Sequence, residues 1–345
     1  MSLSSDEYLL MQLNDISIEI NRYLSIFIFL FGVIGNILNI LVLSQRTLRS
    51  NSCAWLFLIS SISNLIAILS EITTRMLSSW SIDPTDTLDW LCKIHGFLTF
   101  NARTIAYWLI TLATIDRWFL SSLNVNTRQW STLRNAQRST IIILILSSLL
   151  YVDIFYCYES NLLNAPLPCY SKNTFCLLII DVSALVMSVL LPILFMIIFG
   201  VMTILNIRRS KCRVRPVPAF IIGNNTIQYK IPLIGKQYTH HNTIQKKKTD
   251  GQLFKMLSIQ VILLTFFTLP LILEKIYSIF IRPQKSPIET AIDTIIYKIA
   301  LLLNYLTNGM PFYIYTLFGE SIFRKELFHL LTLFRQKFEC HRTFN

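Results

Sequence analysis

Long apolar runs broken by short polar or charged segments dominate the hydropathy pattern of this chain. Seven of them lie at roughly 22–45, 53–77, 91–119, 138–157, 175–206, 252–281 and 290–316. A helix needs roughly 20 residues, at about 1.5 Å each, to cross a hydrocarbon core of about 30 Å, and every run meets that length. The alternation of a transmembrane barrel strand is absent. Helices are the default because hydrocarbon offers no partner for open backbone groups. The expected fold is therefore an all-α membrane protein, a seven-transmembrane helix bundle.

Composition agrees: of 345 residues, 53% are hydrophobic, 14% are charged and only 9 are glycine, too apolar for an ordinary soluble domain. Net charge is +12, and its distribution fixes the sidedness. Lys and Arg mark cytoplasmic loops. Arg46 and Arg49, then Arg128, Arg134 and Arg138, then ten basic residues in 207–250 against Asp250, fall on one face. Asp6, Glu7, Asp15, Glu19, Asp83, Asp86 and Asp89 fall on the other.

The expected organisation is an extracellular segment 1–21, a bundle 22–316 with a long basic cytoplasmic loop 207–250, and a cytoplasmic 317–345. That topology places the protein in the plasma membrane, multi-pass, with its N-terminus outside. The first residues carry acids where a signal peptide carries a basic start, so helix one is expected to serve as the anchor. The basic loop flanks two spans and is read as facing lipid or a partner rather than nucleic acid. Its Asn224-Asn225-Thr226 sequon would face the cytosol there. No internal repeat is found, and seven spans suit two inverted transporter halves poorly.

The third run ends in Asp116-Arg117-Trp118. From Cys92 to Arg117 is 25 residues, or about 37 Å of helix. Cys92 and Arg117 then lie at opposite rims. At the cytosolic mouth the pair can be partly solvated, with Asp116 holding the Arg117 guanidinium while the bundle is closed.

With further landmarks in order, the chain from about 22 to 330 resembles rhodopsin-like (class A) G-protein-coupled receptors. Helix one carries GVIGNILNILVL with Asn36; Asp116-Arg117-Trp118 stands where the family has Asp-Arg-Tyr; helices five, six and seven hold Pro192, Pro270 and Pro311. FGESIFRKELFHLL follows, with Phe318, Ile322, Phe323, Leu327, Leu330 and Leu331 at helical spacing, which suits a short amphipathic helix in the interface. Prolines kink helices, and three in these places support a bundle that opens on its inner side.

The resemblance implies a disulfide from Cys92 to Cys169 in the outer loop. Cys157 and Cys176 lie near the same face, and the sequence does not choose between the pairings of four cysteines. Cys53 and Cys212 are expected as reduced or buried thiols, and Cys340 as a palmitoylation candidate.

Several family switch positions differ. Asn64 replaces the Asp that helps bind sodium, and Met310-Pro311-Phe312-Tyr313-Ile314 replaces Asn-Pro-x-x-Tyr, so sodium regulation is not carried over. Thr268 replaces the tryptophan two residues before Pro270, helix four has no tryptophan, and Gly200 falls where helix five usually offers a tyrosine. A divergent receptor with altered basal activity or coupling follows, with the switch residues Asp116, Arg117, Asn36, Asn64, Pro192, Pro270 and Pro311.

Ionisable residues inside spans are candidate sites by default. Glu71 and Arg75 are four apart and could simply pair on one helix face. Arg103 lies about 21 Å outward of Arg117, at the depth of the family's pocket. Thr99, Asn101, Asp181, Glu274, Lys275, Asp293, Lys298 and Asn304 share that depth. Thr99 stands where an aminergic receptor has its Asp, and Asn304 where an opsin has its retinal Lys, with Lys298 about 9 Å away; amines and light are disfavoured. Groups of both signs suit a peptide, and the resemblance leans toward invertebrate neuropeptide receptors. The expected ligand-binding set is Glu71, Arg75, Thr99, Arg103, Asp181, Glu274, Lys298 and Asn304.

The partners implied are a heterotrimeric G protein, an extracellular ligand and the lipid bilayer. A membrane enzyme would need facing His, Asp or Cys clusters, and His95, His240, His241, His329 and His341 form none in sequence; no cofactor is expected. A channel or transporter has only the intramembrane charges in its favour.

Overall fold

Helix one begins well before the apolar run that predicts it. In the computed structural model, which describes residues 5–78, 80, 82–162, 169–213, 236–280, 286–318, 323–330, 332, 335 and 336, it spans Ser5–Leu43. The acidic stretch expected as an extracellular segment is helical from Ser5 and continuous with it. Helix two follows as Ser52–Ser78, helix three as Asp89–Ser121 and helix four as Leu133–Leu150. Helix five runs Thr174–Ser183, passes through a π-helical stretch Ala184–Leu190 and continues Leu191–Arg213. Helix six is Lys236–Phe280, and helix seven is Pro287–Gly309 extended by Pro311–Phe318.

Local chemistry sets several of these ends. Asn173 and Thr132 cap helices five and four by accepting from the backbone N–H of Cys176 and Asn135. Helix seven opens on a capping box, Ser286 with Glu289, and Pro287 at its first turn. The three prolines behave differently. Pro192 directly follows the π-helical stretch, Pro270 lies inside an unbroken helix six, and helix seven is interrupted at Met310 just before Pro311.

Five of the seven helices qualify as membrane spans by length and hydropathy alone. Helices three and seven fall outside that set, because both bury polar side chains inside the bundle, among them Thr104, Thr111, Asn304 and Asn308. Helix four is inverted relative to a soluble amphipathic helix. Ile141, Ile142, Ile145, Leu146 and Leu149 face outward, and Ala136, Thr140 and Ser147 face the bundle, as expected where lipid is as apolar as any core.

At the end of the bundle that holds Cys92, β1 (Tyr158–Glu159) pairs antiparallel with β2 (Tyr170–Ser171). Two disulfides, Cys92–Cys169 and Cys157–Cys176, pin this hairpin to helix three and to the start of helix five. The second resolves a pairing the sequence leaves open. Cys53 is a buried thiol.

At the opposite end, residues 323–330 are helical, with Phe323 and Leu330 buried and Arg324 and Phe328 exposed. Phe323 packs against Phe312 and Tyr315. Arg324 donates to the carbonyls of Thr316 and Leu317 at the end of helix seven, groups that no further helical turn would satisfy. The basic 207–250 segment is partly helical, since helix five reaches Arg213 and helix six starts at Lys236. Asn224-Asn225-Thr226, the Cys212 side chain, Ile322, Leu331 and Cys340 lie outside the described residues.

Helices one and seven touch backbone to backbone. A Cβ on Gly309 would lie 2.9 Å from Gly32 Cα and 3.1 Å from Phe31 Cδ1, whereas one on Gly200 would meet nothing within 4 Å. The two glycines should therefore respond oppositely to alanine. Gly309→Ala should lower the melting temperature of the purified protein by overpacking, at about 1–3 kcal/mol. Gly200→Ala should raise it, by about 0.5–1 kcal/mol of helix propensity. Shifts of the same sign at both positions would contradict this packing.

Candidate functional site

Helices two, three, five, six and seven and the hairpin enclose a cavity of about 290 Å³ at the Cys92 end. The volume is at the low end for a ligand pocket. Of the residues expected there, Glu71, Arg75, Thr99, Arg103, Asp181 and Lys298 line it. Glu274 and Asn304 do not.

Glu71 organises the cavity floor. It accepts from Arg75 Nη2 at 3.1 Å, the i,i+4 pair the sequence suggests, and from Arg103 Nη2 at 2.5 Å across the gap to helix three. Arg103 also donates to the Tyr305 hydroxyl at 2.8 Å, and its guanidinium lies 4.9 Å from the centre of that ring. Cation–π contact strengthens as the pair is desolvated, and Tyr305 is wholly buried. Higher up, Lys275 of helix six pairs with Asp181 of helix five at 3.1 Å. Lys298 donates to Ser17 Oγ at 2.7 Å, which brings the early part of helix one into the wall. Asp83 and Asp86, in the turn before helix three, complete the rim. Burial, and then the charge of Asp83, hold the Asp86 carboxyl above the usual range.

Below the cavity lies a layer of buried polar bonds. Asn304 Oδ1 accepts from Tyr107 OH at 2.9 Å and from Thr268 Oγ1 at 3.2 Å, so one amide joins helices three, six and seven. Thr268 thus fills the family's tryptophan position with a hydrogen-bond donor. Nearby, Asn36 Nδ2 donates to the carbonyls of Gly32 and Asn308, and Asn64 is buried. The π-helical stretch of helix five leaves the Met187 carbonyl to accept from Trp108 Nε1 at 2.8 Å. Such local widening recurs at functional sites.

The Asp116–Arg117 pair occupies the far end, 2.8 Å apart and buried rather than partly solvated. Asp116 also accepts from Ser52 and Ser131 hydroxyls, and Arg117 Nη2 donates to Asn51 Oδ1 at 3.3 Å. Those neighbours belong to the start of helix two and the segment before helix four, too far along the chain to be read beside the motif. Tyr315 OH donates to Gln260 Oε1 of helix six at 2.6 Å, and Tyr313 OH to the Phe31 carbonyl of helix one. Lys275 is legible by depth alone; Tyr305, Tyr107 and Gln260, being uncharged, carry no such signal.

A bundle of seven membrane helices with a polar cavity at one end and a buried Asp-Arg pair at the other defines a class of protein. The chain matches the description "7 transmembrane receptor (rhodopsin family)" over residues 35–311. It belongs to that family and is a G-protein-coupled receptor of the membrane. No curated protein matches the chain.

Among the described residues, Glu71 is the acid that pairs with the two half-buried guanidiniums of Arg75 and Arg103. Removing one partner of a buried pair costs about 3–5 kcal/mol, so Glu71→Gln should destabilise the receptor by roughly that amount. Arg75→Gln should cost less, since it leaves a balanced Glu71–Arg103 pair. Thermal unfolding of the three proteins in lipid nanodiscs checks the order, and equal losses would contradict it.

Proposed function

We propose that this receptor binds an extracellular peptide in the cavity and activates a G protein by opening the inner ends of helices five and six. The observation that carries the reading is a cavity with side chains of both signs at the disulfide-bonded end. Arg75, Arg103, Lys275 and Lys298 stand there with Glu71, Asp83, Asp86 and Asp181. A peptide presents both signs, whereas a simple amine or an apolar chromophore does not. Disulfides form in oxidising compartments, which supports an outside N-terminus and a cytosolic Arg117. The charges that favour a channel are accounted for in part by pairs across the cavity wall.

The ligand biases a two-state bundle and must bind the open form better, since equal affinity shifts nothing. Arg103 and Tyr305 lie on the floor, and Asn304, next to Tyr305, is the amide that holds helices three, six and seven together. A shift of Tyr305 therefore bears directly on Asn304. Opening of helix six would break the Tyr315–Gln260 bond, release Arg117 from Asp116 and uncover a groove for an α-subunit helix.

Two variants test the switch in opposite directions. Arg117→Ala should lower nucleotide exchange on the α subunit when it is measured per receptor at the surface. Tyr315→Phe should raise ligand-independent exchange, because it strands the buried Gln260 oxygen in the closed form at about 1–3 kcal/mol. Unchanged exchange in both would remove these residues from the switch.

A further inference from the structure

The cavity floor holds more positive charge than it balances. Arg75 and Arg103 each donate to one oxygen of Glu71, and each uses only its Nη2 nitrogen for hydrogen bonds. Two cations against one anion leave +1. The Nε–H of both arginines is buried without an acceptor among the described residues. Tyr305 accepts from Arg103 and lies under both guanidiniums, at 4.9 and 5.7 Å, but it carries no charge. Lys298, also in the wall, bonds a serine hydroxyl rather than an acid.

Depth makes this imbalance matter. Arg103 is eleven residues along helix three from Cys92, about 16 Å into the bundle, where an uncompensated charge is expensive. Arginine forks match carboxylates in geometry as well as sign. The rim has the opposite character, with Asp83 and Asp86 and no second Arg–Glu pair between them. A negative end directed inward and a positive or neutral end left at the rim would satisfy both.

We infer that the ligand enters carboxylate first, its carboxylate lying between Arg75 and Arg103 beside Tyr305 and completing the charge they share through Glu71. The carboxylate is either a free peptide C-terminus or an acidic side chain. The peptide part of this inference rests on the function proposed above; the carboxylate part rests on the floor itself.

The experiment uses the purified full-length receptor in lipid nanodiscs and two matched mixtures of synthetic hexapeptides, one with free C-terminal carboxylates and one amidated. Bound peptides are identified by mass spectrometry. A second arm follows thermal unfolding with millimolar hippurate, a small carboxylate, or its neutral amide. Retention of free acids over amides by about tenfold or more assigns the carboxylate to the C-terminus. Equal retention confined to sequences with Asp or Glu assigns it to a side chain. In either case Arg103→Gln, which leaves Glu71 and Arg75 balanced, should erase the preference, and Arg103→Lys should restore part of it. If the Gln variant fails to fold, Arg75→Gln serves the same purpose. Equal retention regardless of acidic residues overturns the inference and leaves the peptide reading standing. Stabilisation by hippurate but not its amide, with no peptide retained, upholds the carboxylate site and overturns the peptide. No binding in either arm overturns both.

Discussion

Inside a bilayer no water is available to satisfy a buried polar group, so a partner on a neighbouring helix ties the two helices together. Helix three shows what that constraint does to a fold. Along its length Thr99 meets Ser70 of helix two, Asn101 meets Ser147 of helix four, Thr104 meets Tyr151 and Ser188, Tyr107 meets Asn304 of helix seven, and Asp116 meets Ser52 and Ser131. Each bond is modest alone, about 0.6 kcal/mol on average within membranes. Together they reach different neighbours at different depths, so helix three cannot slide or rotate without breaking several. A receptor needs a fixed strut of this kind, because its two working ends lie on opposite sides of a membrane.

The same constraint separates what the sequence discloses from what it does not. Hydropathy locates seven spans because lipid-facing surface is written locally, residue by residue. Helix seven starts at Pro287, three residues before its apolar run, where the capping box of Ser286 and Glu289 sets its end. Acids in 5–21 hide the reach of helix one back to Ser5, although Leu10, Leu13 and Ser17 on that stretch turn inward or toward partners. Glu71–Arg75 was legible as an i,i+4 pair, but Arg103, thirty-two residues on, could be placed only by depth. The burial of Arg117 was not legible either, since its cage comes from Asn51 and Asp116, and that of Asp116 from Ser52 and Ser131. Neutral groups such as Gln260 and Tyr315 carry no hydropathy or charge signal that marks them in a sequence.

The departures from the family pattern also acquire a physical sense. A tryptophan at position 268 would act by bulk, whereas Thr268 acts by donating to Asn304. Asn64, buried in that layer, is a neutral amide where the family has a carboxylate. Asn36 joins helices one and seven, and Asn304 joins helices three, six and seven, by hydrogen bonds that require no ion.

Three of the ties of helix six lie at different depths, and their positions relative to Pro270 bear on what a hinge there can do. Lys275 binds Asp181 of helix five on one side of the proline; Thr268 binds Asn304 almost level with it; Gln260 binds Tyr315 ten residues away on the other side. Ten residues of helix are about 15 Å, so a rotation of 15° about Pro270 would carry Gln260 roughly 4 Å by that lever arm. That distance exceeds what a hydrogen bond tolerates. The Thr268 bond, close to the pivot, would barely lengthen, and the Lys275 pair lies on the ligand's side of it. A small rearrangement at the cavity can thus leave the Lys275 and Thr268 contacts whole while it breaks the Gln260–Tyr315 one, the behaviour expected of a lever whose fulcrum is the missing backbone hydrogen bond of a proline.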